Sequence, residues 1–395
     1  MGVKYAVIGA SAAGVSAVRE ILTVDSDADI TIFSEEDRYP YYRPMLSEFI
    51  ADKDVQSRSS FFLNKEEWYD NPAITWRPGV AINEINRSEK ILNASDGKSY
   101  SYDRAVLAVG SRPFIPLSEK PDFKQVFSLR TYDDAVKISN KASESGSAVV
   151  IGGGLLGLEA AYSLSRLGLK VIILELAGRL MQAQLDEGGS DFLLDIVHES
   201  GVEVMLSDSI ETVDRKDGTL MLNLNSGKKI ETDMLVVSAG VRPDTELADM
   251  CGLEVNKGIV VDSFMATSDP DIFACGDPAE FQGNLTPLWM PAVKKGRIAG
   301  SNAAGEKIEY QDEIYPVALS TFGVKLFCAG NPSGHDGPEN GNILNRKDSS
   351  YKSINFSDNN ISGFVTIGDT ADSQKLLKHL KSGSGYDDLK KEGLF

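Results

Sequence analysis

A chain of 395 residues exceeds what one ordinary hydrophobic core organises, so two or three domains are expected. A 42% hydrophobic and 25% charged composition is that of a globular protein, and a formal net charge of -18 argues against nucleic acid and anionic membranes as partners, whose phosphates would be repelled. Cysteines at 251, 275 and 328 without a C-x-x-C, histidines scattered at 198, 335 and 379, and no long apolar run or signal-type start suggest no disulfide framework, no metal centre and a cytoplasmic location.

The first 36 residues read as strand, turn, helix and strand. Apolar residues 5–8 enter the turn Gly9-Ala10-Ser11-Ala12-Ala13-Gly14, residues 15–22 continue as a helix, and residues 30–33 form a second strand reaching Ser34-Glu35-Glu36. This is the order of a dinucleotide-binding unit, with Ser11 in the place of its middle glycine, small enough to let a pyrophosphate approach and able to donate to it. Glu35 is the choice for the adenosine ribose, with Glu36 next.

Residues 39–48, with two prolines and three tyrosines, read as a rigid aromatic turn. Residues 74–101 read as short strands and turns, and the strand at 105–109, broken by Gly110 and Pro113, ends a sheet and turns the chain into another domain.

The fullest signal spans 148–175. Val149-Val150-Ile151 enters Gly152-Gly153-Gly154-Leu155-Leu156-Gly157, an Ala/Leu-rich helix follows, and a second apolar strand ends on Glu175. Glycine serves the tight turn at 152, pyrophosphate approach at 154 and helix–strand packing at 157, while backbone N–H groups at Leu155 and Leu156 would hold phosphates. Glu175 would accept from a ribose 2'-OH and repel a 2'-phosphate, which favours NADH over NADPH. Two such units imply two dinucleotides, a tightly held flavin and an exchanging nicotinamide.

Residues 235–243 repeat the apolar-run, Gly, Pro form, so the second unit is bracketed and the first is discontinuous. Ile272 to Asp277 gives a strand ending in Gly276-Asp277, a carboxylate at the carboxyl edge of a sheet or a cap on the next helix. Beyond Asp312 no motif carries chemistry: 314–329 read as strands, 353–366 as a hairpin around Asp358-Asn359-Asn360, 371–381 as an amphipathic helix, and the tail after Ser382 as loose. The expected class is α/β, with two Rossmann-like dinucleotide-binding domains and a small α+β C-terminal domain. Its boundaries are FAD-binding at 1–112 and 243–311, NAD-binding at 113–242, and C-terminal at 312–395.

With these motifs in place the chain resembles the FAD-dependent pyridine nucleotide oxidoreductases. Tyr41-x-Arg43-Pro44-x-Leu46-Ser47 is similar to the flavin-facing turn of the rubredoxin and ferredoxin reductase branch, nearest to the NADH:rubredoxin oxidoreductase and nitrite reductase flavin-module type. The redox-active cysteine pair of the glutathione reductase branch is missing, since no cysteine precedes Cys251, and Glu48 stands where a lysine often follows Leu-Ser. The resemblance implies a glutathione reductase-like fold with the NAD domain inserted in the FAD domain, and the short strands over 74–101 are consistent with the small antiparallel insertion that family carries. It implies FAD and NADH as cofactors, Arg43 and Pro44 at the flavin ring, and Asp277 on the ribitol. Trp289 falls beside the ring, at the start of a helix facing the flavin pyrimidine, and Cys275 is read as buried packing.

Lys295 stands where many relatives have Gln, and either raises the flavin potential or points to solvent. Glu159, in the pattern Gly-Gly-Gly-x-x-Gly-x-Glu, orients the nicotinamide or shuttles protons, unless it is only an acid favoured by the helix dipole. Further cofactor contacts implied are Gly9, Ala12, Ala13, Gly14, Ala81, Ala108, Val109, Gly110, Arg112, Arg179 and Gly240.

The function expected from this likeness is hydride transfer from NADH to the flavin, with electrons leaving to a small carrier protein, rubredoxin first. An NADH oxidase, a reductase of a small-molecule acceptor, and a flavin-binding interaction protein of the apoptosis-inducing-factor type are the alternatives. Rubredoxins are usually acidic, so docking to so acidic a chain calls for a positive collar of Arg43, Lys294, Lys295 and Arg297.

Overall fold

The computed structural model describes residues 2–117, 124–331, 342–347 and 349–394. The chain forms two compact units, one from residues 1–45, 54–112 and 241–312, the other from 46–53, 113–240 and 313–395.

In the first unit an all-parallel sheet runs in the order Ile272–Ala274, Arg104–Leu107, Lys4–Ile8, Asp29–Phe33, Ile74–Arg77. Val7, Ile30, Ile32, Val106 and Leu107 are fully buried, as a sheet covered on both faces requires. Helices Ala12–Val24 and Trp289–Ala303 lie close because Gly296 and Gly300 carry no side chain: a Cβ at either would stand 2.2 and 2.3 Å from the carbonyl oxygens of Ala13 and Ala17. The first helix starts at Ala12 rather than 15, inside the glycine turn, because the turn itself supplies its first residues. The antiparallel insertion is smaller than expected. Ile74–Arg77 joins the parallel sheet beside Asp29–Phe33, leaving Ile82–Asn86, Ile91–Ala94 and Ser99–Ser101 as the three-stranded piece.

The second unit repeats the parallel arrangement in the order Glu203–Met205, Lys170–Leu174, Ser147–Ile151, Met234–Val237, Val126–Ser128. Its C-terminal part is an antiparallel sheet of Val317–Thr321, Val324–Gly330, Asn360–Ile367, Ser350–Ser357 and Asn342–Lys347. The hairpin expected near Asp358 forms, with Asp358 and Asn359 both at positive φ (49° and 62°), the conformation of a tight two-residue turn. The two sheets share one core: Leu319, Phe322, Leu326, Tyr351 and Val365 are buried with Leu158, Ala161 and Leu193. The Tyr351 hydroxyl donates to Asp186 (2.8 Å), whose carboxylate also caps helix Glu187–Glu199. Helix Leu46–Ala51 enters the same core through Ile50, so a segment embedded in the sequence of the first unit folds with the second.

The tail is not loose. Tyr386–Lys391 is helical, and Leu389 and Leu394 are buried against Leu376, Leu380 and Phe356. One leucine within the helix and one three residues past its end are too few to stand out in a Ser/Gly/charged stretch, yet they suffice to anchor it.

Candidate functional site

The two glycine turns are built alike, one per unit. Gly9 and Gly152 have φ of 103° and 108°, and a Cβ on either would lie 2.2 or 2.3 Å from the backbone oxygen of Ala108 or Ser238. Gly14 and Gly157 let the helix settle on its own turn, a Cβ at each falling 1.9 Å from the carbonyl oxygen of Gly9 or Gly152. Gly9 donates to Phe33 and Gly152 to Leu174, both at 2.9 Å, which sets each turn at the end of the neighbouring strand. Gly154 differs: among the described residues nothing lies within 4 Å of the Cβ it lacks, so its smallness serves something other than packing.

Both helices that follow are uncapped. Ser11 and Gly154 are the N-caps of Ala12–Val24 and Leu155–Arg166, no side chain caps either, and neither first turn holds an acid. Helices Tyr132–Ala142 and Glu187–Glu199, by contrast, are capped by Thr131 and Asp186. Uncapped backbone N–H groups at a helix start, beneath an open turn, are the donor set a pyrophosphate requires. Ala12 and Ala13 are buried in the first of these starts; in the second Leu155 is half-buried and Leu156 exposed.

The acids differ between the turns. Glu36, not Glu35, faces the first: its carboxylate accepts from the Tyr41 hydroxyl (2.6 Å) and from Arg43 Nη2 (2.6 Å), and Arg43 Nε donates to Ser11 Oγ (3.2 Å). Glu35 is exposed, because Ser34 occupies the first position after the strand and turns the next side chain outward. Ser11 therefore accepts from Arg43. Glu175 sits directly after its strand, half-buried, its two carboxylate oxygens accepting from the N–H groups of Gly153 (2.5 Å) and Ala177 (2.6 Å). Arg179 lies in the loop beyond, with a buried Nε that has no partner among the described residues.

Asp277, half-buried at the carboxyl edge next to Gly276, accepts from the Ser111 hydroxyl at 2.6 Å. Gly276 abuts Ala13, and Ala108 donates to Ile8, so these residues line the end of the first sheet. Val109 and Gly110 follow, the latter accepting from Asp244, while Ala81 donates to Ser95 Oγ. The Arg112 side chain is 63% exposed and paired with Asp244 and Glu246; Gly240 accepts from Phe114. Pro44 is exposed within the short turn Arg43–Met45, and Trp289 meets Tyr42 edge-on with ring centroids 4.7 Å apart.

Lys295 does not point to solvent. It is 1% exposed and donates to the Ala279 carbonyl at 2.9 Å; burial lowers its pKa, opposed by the charges of Asp312 and Asp277. Cys275 is fully buried, and burial pushes its thiol up to about 12, which suits packing and not thiolate chemistry. The four-cation collar is not assembled. Lys295 is inside, Arg43 pairs with Glu36, Arg297 with Glu20, and Lys294 donates to Gln311.

Glu159, on the helix beyond Gly157, accepts from Ser47 Oγ at 2.8 Å. Burial pushes its carboxyl up to about 7, the Ser47 hydrogen bond opposing and the nearby Glu48 reinforcing. A carboxyl that gains and loses its proton near neutrality suits acid–base work better than a dipole-favoured helix acid, which would titrate low. Ser47 was not legible as its partner, being 112 residues away; nor was Ser111 as the partner of Asp277.

Among the described residues no three His, Cys, Asp or Glu side chains gather as metal ligands, His335 lying outside them. No described helix is long and apolar enough to cross a membrane.

Residues 3–296 match the family model for pyridine nucleotide-disulphide oxidoreductases, and residues 317–384 that for the rubredoxin NAD+ reductase C-terminal domain. The chain is 31% identical to the assimilatory nitrate reductase electron transfer subunit of Bacillus subtilis over 95% of its own length and 49% of that protein's. It is 29% identical to the NADH-rubredoxin oxidoreductase of Clostridium acetobutylicum over 98% and 96% of the two lengths. The crystal structure of the latter superposes with a TM-score of 0.80, at 28% identity, over 98% and 97% of the chains. The chain spans about half the length, or less, of the first curated relatives it matches. FAD and NADH are the cofactors that go with this family, and the two uncapped turns fit them. By the reach of that match and the two turns that carry it, the chain belongs to the pyridine nucleotide-disulphide oxidoreductase family, with a C-terminal domain of the rubredoxin reductase kind.

Proposed function

We propose that this chain takes reducing equivalents from NADH and passes them to a small electron-carrier protein, with rubredoxin as the acceptor. The observation that carries the reading is the pairing of one open, uncapped glycine turn in each unit with a C-terminal segment similar to that of rubredoxin reductases. When bound, FAD supplies the redox chemistry, accepting a hydride from NADH and yielding electrons to the acceptor.

The chain's own residues bind and orient. The N–H groups after Ser11 hold the flavin's pyrophosphate, Glu36 takes the adenosine ribose and Asp277 the ribitol, with Arg43 and Pro44 on the turn beside them. The N–H groups after Gly154 hold the nicotinamide coenzyme, Glu175 reads its ribose, and Glu159 holds or releases a proton at its carboxyl. A dithiol relay plays no part, since Cys251, Cys275 and Cys328 form no disulfide and Cys275 and Cys328 are buried. With Lys295 buried and Arg43 and Arg297 paired with carboxylates, the collar does not offset the net charge of -18 toward an acidic carrier, so reduction of such a carrier should rise with added salt as the repulsion is screened.

The test is cofactor extraction followed by stopped-flow reoxidation. One FAD per chain and NADH-driven rubredoxin reduction outpacing oxygen consumption support the proposal; FMN, no flavin, or peroxide formation that accounts for all NADH used overturns it. A second reading is an electron-entry module for a larger reductase. It is favoured by the 95% of this chain that aligns with half of the nitrate reductase subunit. It predicts slow rubredoxin reduction and fast transfer to a separate nitrate- or nitrite-reducing polypeptide.

A further inference from the structure

The segment after strand Lys170–Leu174 wraps the peptide of Gly153 on every side. The Gly153 N–H donates to Glu175 Oε2, its carbonyl accepts from the N–H of Met181 (3.0 Å), and a Cβ there would stand 2.6 Å from Leu180 Cδ2 and 3.2 Å from Glu175 Cβ. Met181 takes a left-handed φ of 47° to make its contact. Gly154, one residue on, faces open space. Residue 153 is thus held by the chain, and the open side of Gly154 is left for a ligand.

The first unit has no such device. By the register of Gly9 with Phe33 and Gly152 with Leu174, Ser34 occupies the place of Glu175, and its hydroxyl donates to the carbonyl of Glu36 instead of to the turn. There the turn is tied from a distance, through Arg43.

We infer that Glu175 is a positioning residue as well as a coenzyme-reading one: its carboxylate clasps the glycine turn, so that its acceptor and its charge do separate jobs. The inference rests on the proposed reading of 152–157 as the nicotinamide coenzyme turn. Each carboxylate oxygen accepts about two hydrogen bonds, so the bonds to Gly153 and Ala177 leave room for a ribose hydroxyl. The acceptor shapes the turn for either coenzyme, while the charge alone opposes the 2'-phosphate of NADPH.

Two variants of the FAD-loaded protein separate these jobs. Glu175→Ala removes acceptor and charge; it should weaken NADH binding by on the order of tenfold, since the turn's N–H is left unsatisfied, while NADPH, relieved of the repelling charge, should change by only a few-fold. Glu175→Gln keeps one oxygen for Gly153, loses the charge and turns its NH2 toward the Ala177 N–H, whose bond is given up in both variants. NADH affinity should then fall less than in the Ala variant, with discrimination against NADPH shrinking on the order of tenfold. Affinities are read by coenzyme titration, and amide hydrogen exchange over 152–157 is read without coenzyme. Exchange should be faster in the Ala variant than in the Gln variant, with circular dichroism confirming that both are folded. Equal exchange in the two variants, or equal NADH affinities, overturns the clasp. Failure of the unmodified protein to bind either coenzyme overturns the functional reading, while the exchange comparison still decides the clasp.

Discussion

Glu159 offers the sharpest quantitative handle. Its carboxyl is pushed from 4.5 to about 7, chiefly by burial. At about 1.36 kcal/mol per pH unit of displacement, ionising it in the folded chain costs ~3 kcal/mol relative to the unfolded one. The sign follows from a raised acid. The stability is fully present below the unfolded value near 4.5, where both states are neutral, and is lost progressively as pH rises towards 7, beyond which no more is lost. Glu159→Gln cannot ionise, so its melting temperature relative to the unmodified protein should climb between pH 5 and 7 by a few degrees and level off above. The neighbours supply internal controls. Ser47→Ala removes the hydrogen bond that favours the charged form and should move the levelling-off point to higher pH; Glu48→Gln removes a repelling carboxylate and should move it lower. Thermal scans of the FAD-loaded proteins across pH 5 to 9 read all three. A melting-temperature difference that stays constant with pH, or a Ser47→Ala variant whose curve levels off at lower pH, would refute the assignment of burial against Ser47 as the balance that sets this group.

Other perturbations test other parts of the chain. Gly157→Ala and Gly14→Ala each place a methyl 1.9 Å from a carbonyl oxygen of their own turn, so each should destabilise its unit by several kcal/mol, seen as loss of soluble folded protein or a large fall in melting temperature. Leu389→Ala in the packed tail should cost about 2–5 kcal/mol in chemical denaturation, whereas a loose tail would show no change. Lys295→Gln, which keeps a donor for the Ala279 carbonyl but not a cation, should lower the flavin midpoint potential by on the order of 30 mV in a spectroelectrochemical titration; an unchanged potential would mean that the ammonium acts only as structure.

Most of what the backbone does is legible in the sequence. Strand, glycine turn and helix are local patterns, and Gly9, Gly14, Gly152 and Gly157 occupy positions where only a missing side chain fits. What was not legible depends on pairing at long range. Glu35 and Glu36 are indistinguishable as letters; only the position of Ser34 after the strand and the reach of Arg43 decide which carboxylate faces the turn. The collar failed because its cations find partners that a run of letters does not announce: Glu20 for Arg297, 277 residues away, Glu36 for Arg43 and the Ala279 carbonyl for Lys295. Lys295 shows the limit most directly. A lysine on a helix reads as an exposed charge, and nothing in its immediate neighbours announces that helix packing at Gly296 and Gly300 holds that stretch in the interior.

The passage of the chain back and forth between its two units bears on how the protein is made. A ribosome delivers residues 4–8, 29–33 and 104–107 early, but the parallel sheet of the first unit lacks its edge strand Ile272–Ala274 until the whole of 113–240 has emerged. The second unit in turn shares its core with Leu319, Tyr351 and Val365, so it cannot close until residue 365 is out. Neither unit completes before the other has begun, and no single stop codon or protease cut yields either one whole. A nascent chain of this design spends most of its synthesis with two half-built sheets exposed, the condition under which chaperone dependence and misassembly are greatest. Expression that fails when translation is hurried, and recovers when it is slowed, would be the cellular trace of that chain path.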